Sequence, residues 1–249
     1  MNSFLSNFIL RTVSIVFFFL LWSSASYFFD NSLLPSPINV ASKIHLEFQS
    51  SELFYHTFIT LRRVILSFII AMIIGTAIGI VMGRKEKINT LLDDWLVLGL
   101  NIPALVIIIL SYVWFGLNEI AAVLAVSLNK IPMVTVIMRE GTRSIDNKYV
   151  EVGKFYNVSN KKLFMQVILP QLYPYLMSSA RSGLSLIWKI VLVVELLGRS
   201  NGVGFKLYGF FQFFDISGIL AYTLTFVIII IIFEFIFLRP IEKKLTVWR

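Results

Sequence analysis

Three stretches of this chain, Thr12–Phe29, Val64–Gly83 and Trp95–Phe115, contain no charged residue at all. Each is about as long as the roughly 20 residues a helix needs to cross a hydrocarbon core. In lipid every backbone donor and acceptor must be satisfied inside the protein, and an uninterrupted apolar window of this length does so as a helix. Three further windows of similar length tolerate a few charges: Ile120–Met138 with Lys130, Tyr173–Leu197 with Arg181, Lys189 and Glu195, and Ile219–Leu238 with Glu234. The expectation is an all-α polytopic membrane protein of six spans, one domain over 1–249, with both termini on one side. The overall 57% hydrophobic content and 14% charged content exclude an ordinary soluble globule. The first window also fits a secretory signal, with Arg11 ahead of it and Ser23-Ser24-Ala25-Ser26 as a small-residue site. Its apolar run extends into Tyr27-Phe28-Phe29, past signal length, which favours a span.

A net charge of +8 raises the question of nucleic acid. The basic residues do not form one stripe; they follow the loops. Arg84, Lys85 and Lys87, then Arg139, Arg143, Lys148, Lys154, Lys161 and Lys162, then Arg239, Lys243, Lys244 and Arg249 fall in one set of connections, and Lys43, Arg62, Arg63, Arg199 and Lys206 in the other. Lys and Arg in short loops are retained in the cytoplasm during insertion, so the first set is expected to be cytoplasmic. The excess charge is then topogenic, and no nucleic-acid partner is expected. Arg62 and Arg63 run against the rule and are expected to snorkel to headgroups just outside the second span.

Catalytic chemistry has little to work with. The chain has no cysteine and two histidines, His45 and His56, too few and badly spaced for a zinc site. Phosphate-loop, nucleophile-elbow and HExxH signatures are absent from the sequence. No enzyme activity and no cofactor of its own are expected; ATP, if used, is bound with magnesium by another chain. Packing signals are those of a compact bundle: Ala71, Gly75, Gly79 and Gly83 recur every four residues and permit close helix approach. Pro103 and Pro132 remove backbone donors inside the third and fourth spans and are expected to bend them.

The segment 139–172 is the longest connection on the basic side, and within it EVGKFYNVSNKKLFMQVILP, residues 151–170, alternates polar and apolar residues at helical spacing. Val150, Val152, Phe155 and Tyr156 share one patch; Leu163, Phe164, Val167 and Ile168 share another, until Pro170 is expected to stop the pattern. Asn157-Val158-Ser159-Asn160 reads as a sharp turn, since Asn tolerates the left-handed conformation and Ser159 or Asn160 can cap a following helix. Two short helices with apolar faces need covering, either by the chain itself or by a partner.

Glu151-Val152-Gly153, three residues, Asn157, nine residues, Val167, one residue and Leu169-Pro170 resembles the EAA motif of ABC-importer permeases. Val152 and Gly153 stand for the two alanines of that motif and Asn157 for its glycine. The resemblance extends from Leu33 to the C-terminus toward the permeases of nitrate, sulfonate, taurine and bicarbonate importers. It includes Leu33-Leu34-Pro35-Ser36-Pro37, Thr60-Leu61-Arg62-Arg63-Val64, Trp114-Phe115-Gly116-Leu117-Asn118-Glu119, Arg143-Ser144-Ile145-Asp146, Glu195-Leu196-Leu197-Gly198, Gly202-Val203-Gly204 and the Trp248-Arg249 ending.

The resemblance implies a type I importer permease (MetI-like) fold in a bacterial inner membrane. It also implies a second permease copy, two ABC ATPase subunits and an external substrate-binding protein as partners. On that footing Glu151, Val152, Gly153, Asn157, Val158, Ser159, Leu169 and Pro170 are expected to dock on the ATPase.

For the translocation path the candidates are Ser185, Trp188, Lys189 and Glu195, with Asn129 and Lys130 beside Pro132. An ammonium in mid-membrane must face water, a counter-ion or an anionic ligand, so Lys189 points to an anionic solute unless it pairs with Glu234 or a partner's carboxylate. The alternative class is a self-sufficient channel or ion-coupled carrier using Lys189, Glu195 and Glu234 as a charge relay. A membrane-embedded enzyme suffers from the lack of clustered His or acidic residues in the spans.

Overall fold

The computed structural model describes residues 2–28 and 33–246, and side chains within 2–8, at 11 and beyond 242 are left aside. The Trp248-Arg249 ending therefore lies outside the described residues. In chain order the helices are α1 (Asn2–Phe28), α2 (Pro37–Gln49), α3 (Glu52–Arg84), α4 (Glu86–Asn101), α5 (Ala104–Phe115), α6 (Glu119–Arg143), α7 (Asn147–Phe155), α8 (Asn160–Leu163), α9 (Leu169–Gly198), α10 (Val203–Gln212), α11 (Ile216–Phe233) and α12 (Arg239–Thr246). Wider π-helical turns at Phe164–Ile168 and Glu234–Leu238 join α8 to α9 and α11 to α12.

Helix α6 is the axis of the molecule. Half of its apolar window is buried against 17% for α11, so α6 is surrounded by protein while α11 turns most of its surface outward. It packs on α3, α5 and α9. The α3 contact is close because the glycine stripe faces it: a methyl at Gly75 would meet Val134 Cβ at 2.6 Å, and one at Gly79 would meet the Thr135 carbonyl oxygen at 2.6 Å. Gly79 opposes backbone, which cannot move aside, so the helices approach only as far as glycine allows. Around α6, Ile108, Tyr112, Ala125, Val126, Leu184, Ile187, Trp188, Val191 and Phe226 form the main core. A second cluster of Val134, Met138, Ile168 and Leu172 ties the base of α6 to the start of α9.

Three helices, Glu52–Arg84, Glu119–Arg143 and Ile216–Glu242, are long and apolar enough to cross a membrane, or four if α4 and α5 form one broken span. The expected six are not all matched by this measure. Thr12–Phe28 is shorter, and α9 carries Arg181, Lys189 and Glu195 inside its apolar stretch. The third window is also not one straight helix: α4 and α5 meet at 96°. Pro103 is the cause, since Ile102 before it is extended and the proline restarts the helix as the N-cap of α5. Pro132, by contrast, sits inside a continuous α6, its ring packed beneath Gly99 of α4.

Candidate functional site

The 139–172 connection folds as two helices around a left-handed turn. Asp146 caps α7, accepting from the Lys148 N–H at 2.9 Å. The helix ends where Asn157 takes φ 54°, and its N–H donates to the Lys154 carbonyl at 2.9 Å while the Val158 N–H donates to that of Gly153 at 2.9 Å. These bonds close the orphan carbonyls of α7, and Asn is the side chain after glycine that tolerates this conformation best. Ser159 then opens α8 with extended backbone and no side-chain cap. Gly153 lies over Leu163, where an added methyl would meet Leu163 Cδ1 at 2.4 Å. The base of the loop is closed by Gln171, whose side-chain oxygen accepts the Asp146 N–H at 2.9 Å.

One expectation needs correction here. Leu169-Pro170 does not stop the helix; it begins the 30-residue α9. Proline 170 lacks an N–H and its ring would clash with the carbonyl four residues back. The π turn just before it widens the backbone, the Leu169 N–H reaching back five residues to Phe164, and the chain continues as helix. The outward surface of the loop is apolar and uncovered: Val152, Phe155 and Tyr156 are 56%, 81% and 74% exposed, and Glu151 is exposed beside them.

Helix α9 has two unlike faces. Ser185 and Lys189 are exposed on one, four residues apart, and among the described residues no carboxylate pairs with Lys189. Glu234, the counter-ion considered for it, lies 3.9 Å from Arg239 instead. Trp188 and Glu195, predicted to share the path with Lys189, are on the other face. Trp188 packs edge-on against Phe226 and Phe233, at ring separations of 5.4 and 6.1 Å. Helical periodicity puts adjacent residues about 100° apart, so Trp188 and Lys189 point into core and open space respectively. Asn129 is half-buried; Lys130 is buried in α6, its ammonium 3.9 Å from Met133 Sδ.

Glu195 belongs to a buried clasp at the end of the bundle remote from the 139–172 loop. Arg63, expected to snorkel, is 1% exposed. All five of its donors are matched. Nη1 donates to Glu195 at 2.7 Å and the Asn201 carbonyl at 2.8 Å, Nη2 to Glu119 at 2.8 Å and the Asn201 side chain, and Nε to Glu119 at 3.0 Å. Glu195 also accepts the Gly204 N–H at 2.8 Å, with the Thr60 hydroxyl 2.9 Å from both its oxygens. The Val203 N–H donates to that hydroxyl at 2.8 Å and the Gly202 N–H to His56 Nδ1 at 2.9 Å. The His56 proton therefore sits on Nε2, 3.1 Å from Glu52.

Gly202 has φ 109°, and a methyl there would lie 2.3 Å from the Glu195 carboxyl carbon, so both conformation and space require glycine. The clasp joins α3, α6, α9 and the start of α10. Sequence reading missed it because Arg63 and Glu195 stand 132 residues apart. The available signal was two ionisable residues in apolar helices, each of which needed a partner.

Comparison with known proteins agrees with this architecture. The family described as "Binding-protein-dependent transport system inner membrane component" matches residues 71–239. The chain belongs to that family. Among its relatives, the putative aliphatic sulfonates transport permease protein SsuC of Bacillus subtilis is 29% identical over 88% of this chain and 79% of its own length. The taurine transport system permease protein TauC of Escherichia coli is 26% identical over 86% of this chain and 80% of its own. The bicarbonate transport system permease protein CmpB of Synechococcus elongatus is 29% identical over 64% of this chain and 58% of its own. A crystal structure of an amino acid ABC transporter with histidines shares the fold at a TM-score of 0.64, with 17% identity over 80% of this chain and 97% of that one. The chain is thus a permease of the ABC-importer class.

Proposed function

We propose that two copies of this permease form the translocation path of an ATP-driven importer for a small anionic solute of the sulfonate, taurine, nitrate, bicarbonate or aromatic-acid class. The names of the relatives support the sulfonate, taurine and bicarbonate members of that class. An external binding protein delivers the solute, and two ATPase subunits bind ATP and magnesium on the cytoplasmic face of the inner membrane. The six spans are α1, α3, the bent α4–α5 pair, α6, α9 and α11, with both termini and the 139–172 loop cytoplasmic.

The loop is the coupling element. ATP binding biases the permease only if the ATPase contacts it differently in two states, which requires a rigid feature that the ATPase can grip. The observation that carries this reading is the exposed Val152-Phe155-Tyr156 surface held on the Asn157 turn. Glu151, Val152, Gly153, Asn157, Val158 and Ser159 form the grip, and Leu169-Pro170 passes its movement into α9. On α9, Ser185 and Lys189 face the path, where an ammonium favours an anion. Asn129 and Lys130 are secondary candidates. Trp188 and Glu195 hold the opposite face of that helix in place.

A mild-detergent pull-down of the tagged chain from its native cells, with mass spectrometry, tests the reading. Recovery of an ABC ATPase from the native chain and its loss with Glu151→Arg is the expected result. Purification of the chain alone in both cases overturns it.

A further inference from the structure

The inner ends of α3 and α6 and the 139–172 loop enclose a cleft of about 700 Å³. Its wall is assembled from Gly83 and Arg84 at the end of α3, Arg143 at the end of α6, Lys154 on α7, and Asn160 and Phe164 beyond the turn. Three cationic side chains converge there, and no carboxylate is among the lining residues. Among the described residues Arg84 and Lys154 have no ion-pair partner, and Arg143 reaches only Glu140 at 3.4 Å, a carboxylate that Arg139 holds at 3.0 Å. Arg84 is positioned by the Phe164 ring, 5.8 Å from its guanidinium carbon.

Topogenic charge explains why cations occur on this side of the chain. It does not explain their convergence on one concavity. Two arginines and a lysine line a hollow that has no carboxylate, a donor set suited to an anion, and arginine forks match phosphate oxygens in particular. The level of the cleft narrows the choice. Arg84 and Arg143 are the last residues of two helices long and apolar enough to span a bilayer, so the cleft opens where hydrocarbon gives way to headgroups. Basic pockets between helices at that depth bind anionic headgroups.

We propose that this cleft binds a phosphate-bearing anion, the phosphodiester headgroup of an anionic inner-leaflet phospholipid. The ligand bridges α3 and α6 to α7, and so fixes the coupling loop relative to the bundle. This goes beyond the importer reading and rests on it only for the cytoplasmic side of the loop, not for ATPase docking.

The full chain, purified in mild detergent, is titrated with phosphatidylglycerol and phosphatidylcholine in parallel and read by native mass spectrometry. We expect phosphatidylglycerol to be retained about 10-fold more strongly, and the preference to vanish in Arg84→Gln/Arg143→Gln/Lys154→Gln. Lys161→Gln/Lys162→Gln, which removes charge outside the cleft, leaves the preference intact. Inorganic phosphate supplies a second arm: stabilisation by phosphate that needs the same three cations, without lipid preference, supports the site with a soluble phosphate as its source. Equal retention of both lipids with no phosphate effect overturns the proposal, as does equal loss in the Lys161/Lys162 variant. Three-cation-dependent capture of the ATPase with indifference to both anions also overturns it, by making the cleft a protein contact. All three cations are exposed, so loss of folding does not confuse the result.

Discussion

The two ends of helix α3 are chemically opposite. In its first half Arg63 is buried and every donor is matched; at its end Arg84 is exposed over a cleft with no carboxylate among its lining residues. The same contrast runs through the molecule. Near the clasp, Lys43 pairs with Asp215 at 3.0 Å, Lys206 with Glu52 at 2.9 Å, and Tyr222 donates to Glu47 at 2.9 Å. At the loop end, Phe155 and Tyr156 are presented outward, and Lys154 lines the cleft without an ion-pair partner among the described residues. Among the described residues most polar groups at the clasp end are matched within the chain, Arg199 Nε excepted. At the loop end Arg139 is matched by Asp93 and Glu140 but Arg84 and Lys154 are not, which marks the cleft and the exposed loop surface as the parts open to a partner.

If that contrast is right, substitutions at the clasp damage folding and those at the loop damage association. Glu195→Met leaves the Arg63 charge short of a buried partner and is expected to cost about 3–5 kcal/mol, seen as a large fall in Tm in detergent. Arg63→Met combined with Glu195→Met costs less than the two single changes summed, because the changes share one network. If Glu195→Met unfolds at the native temperature, the clasp is not what holds this end together.

Gly202→Ala combines a disfavoured φ with a clash on Glu195 and is expected to cost about 1–3 kcal/mol by the same assay. Asn157→Val forces a β-branched residue into the left-handed turn, a penalty of about 1–2 kcal/mol confined to the loop. Its clearest readout is loss of ATPase co-purification, and Asn157→Gly preserves it.

Phe155→Ser leaves Tm unchanged yet weakens ATPase capture; a fall in Tm instead shows that the side chain packs within the permease. The smallest structural effect is expected for Lys189→Met, which keeps Tm and lowers uptake or anion preference in reconstituted vesicles. Unaltered uptake and selectivity remove Lys189 from the path.

Part of this was legible in one dimension. Helix class, the Ala71–Gly83 contact stripe and the turn at Asn157 are local matters: apolar length, four-residue spacing and a residue's tolerance of positive φ depend only on near neighbours in the chain. The membership of the importer-permease family rode on the same kind of local pattern, in the 151–170 spacing.

Other assignments needed the third dimension. The π turn that lets the chain run through Pro170 also carries Phe164 and Ile168 onto Leu172 and Met138, a packing that the proline alone does not announce. Whether Trp188 or Lys189 faces the open side was decided by what packs on α9. Arg63 reads as a surface residue until Glu119, Glu195 and Asn201 converge on it from three separate segments. A local sequence states which charges a helix carries; only the fold brings partners from 56 and 132 residues away and so decides which charges are buried and matched and which are left for something else to meet.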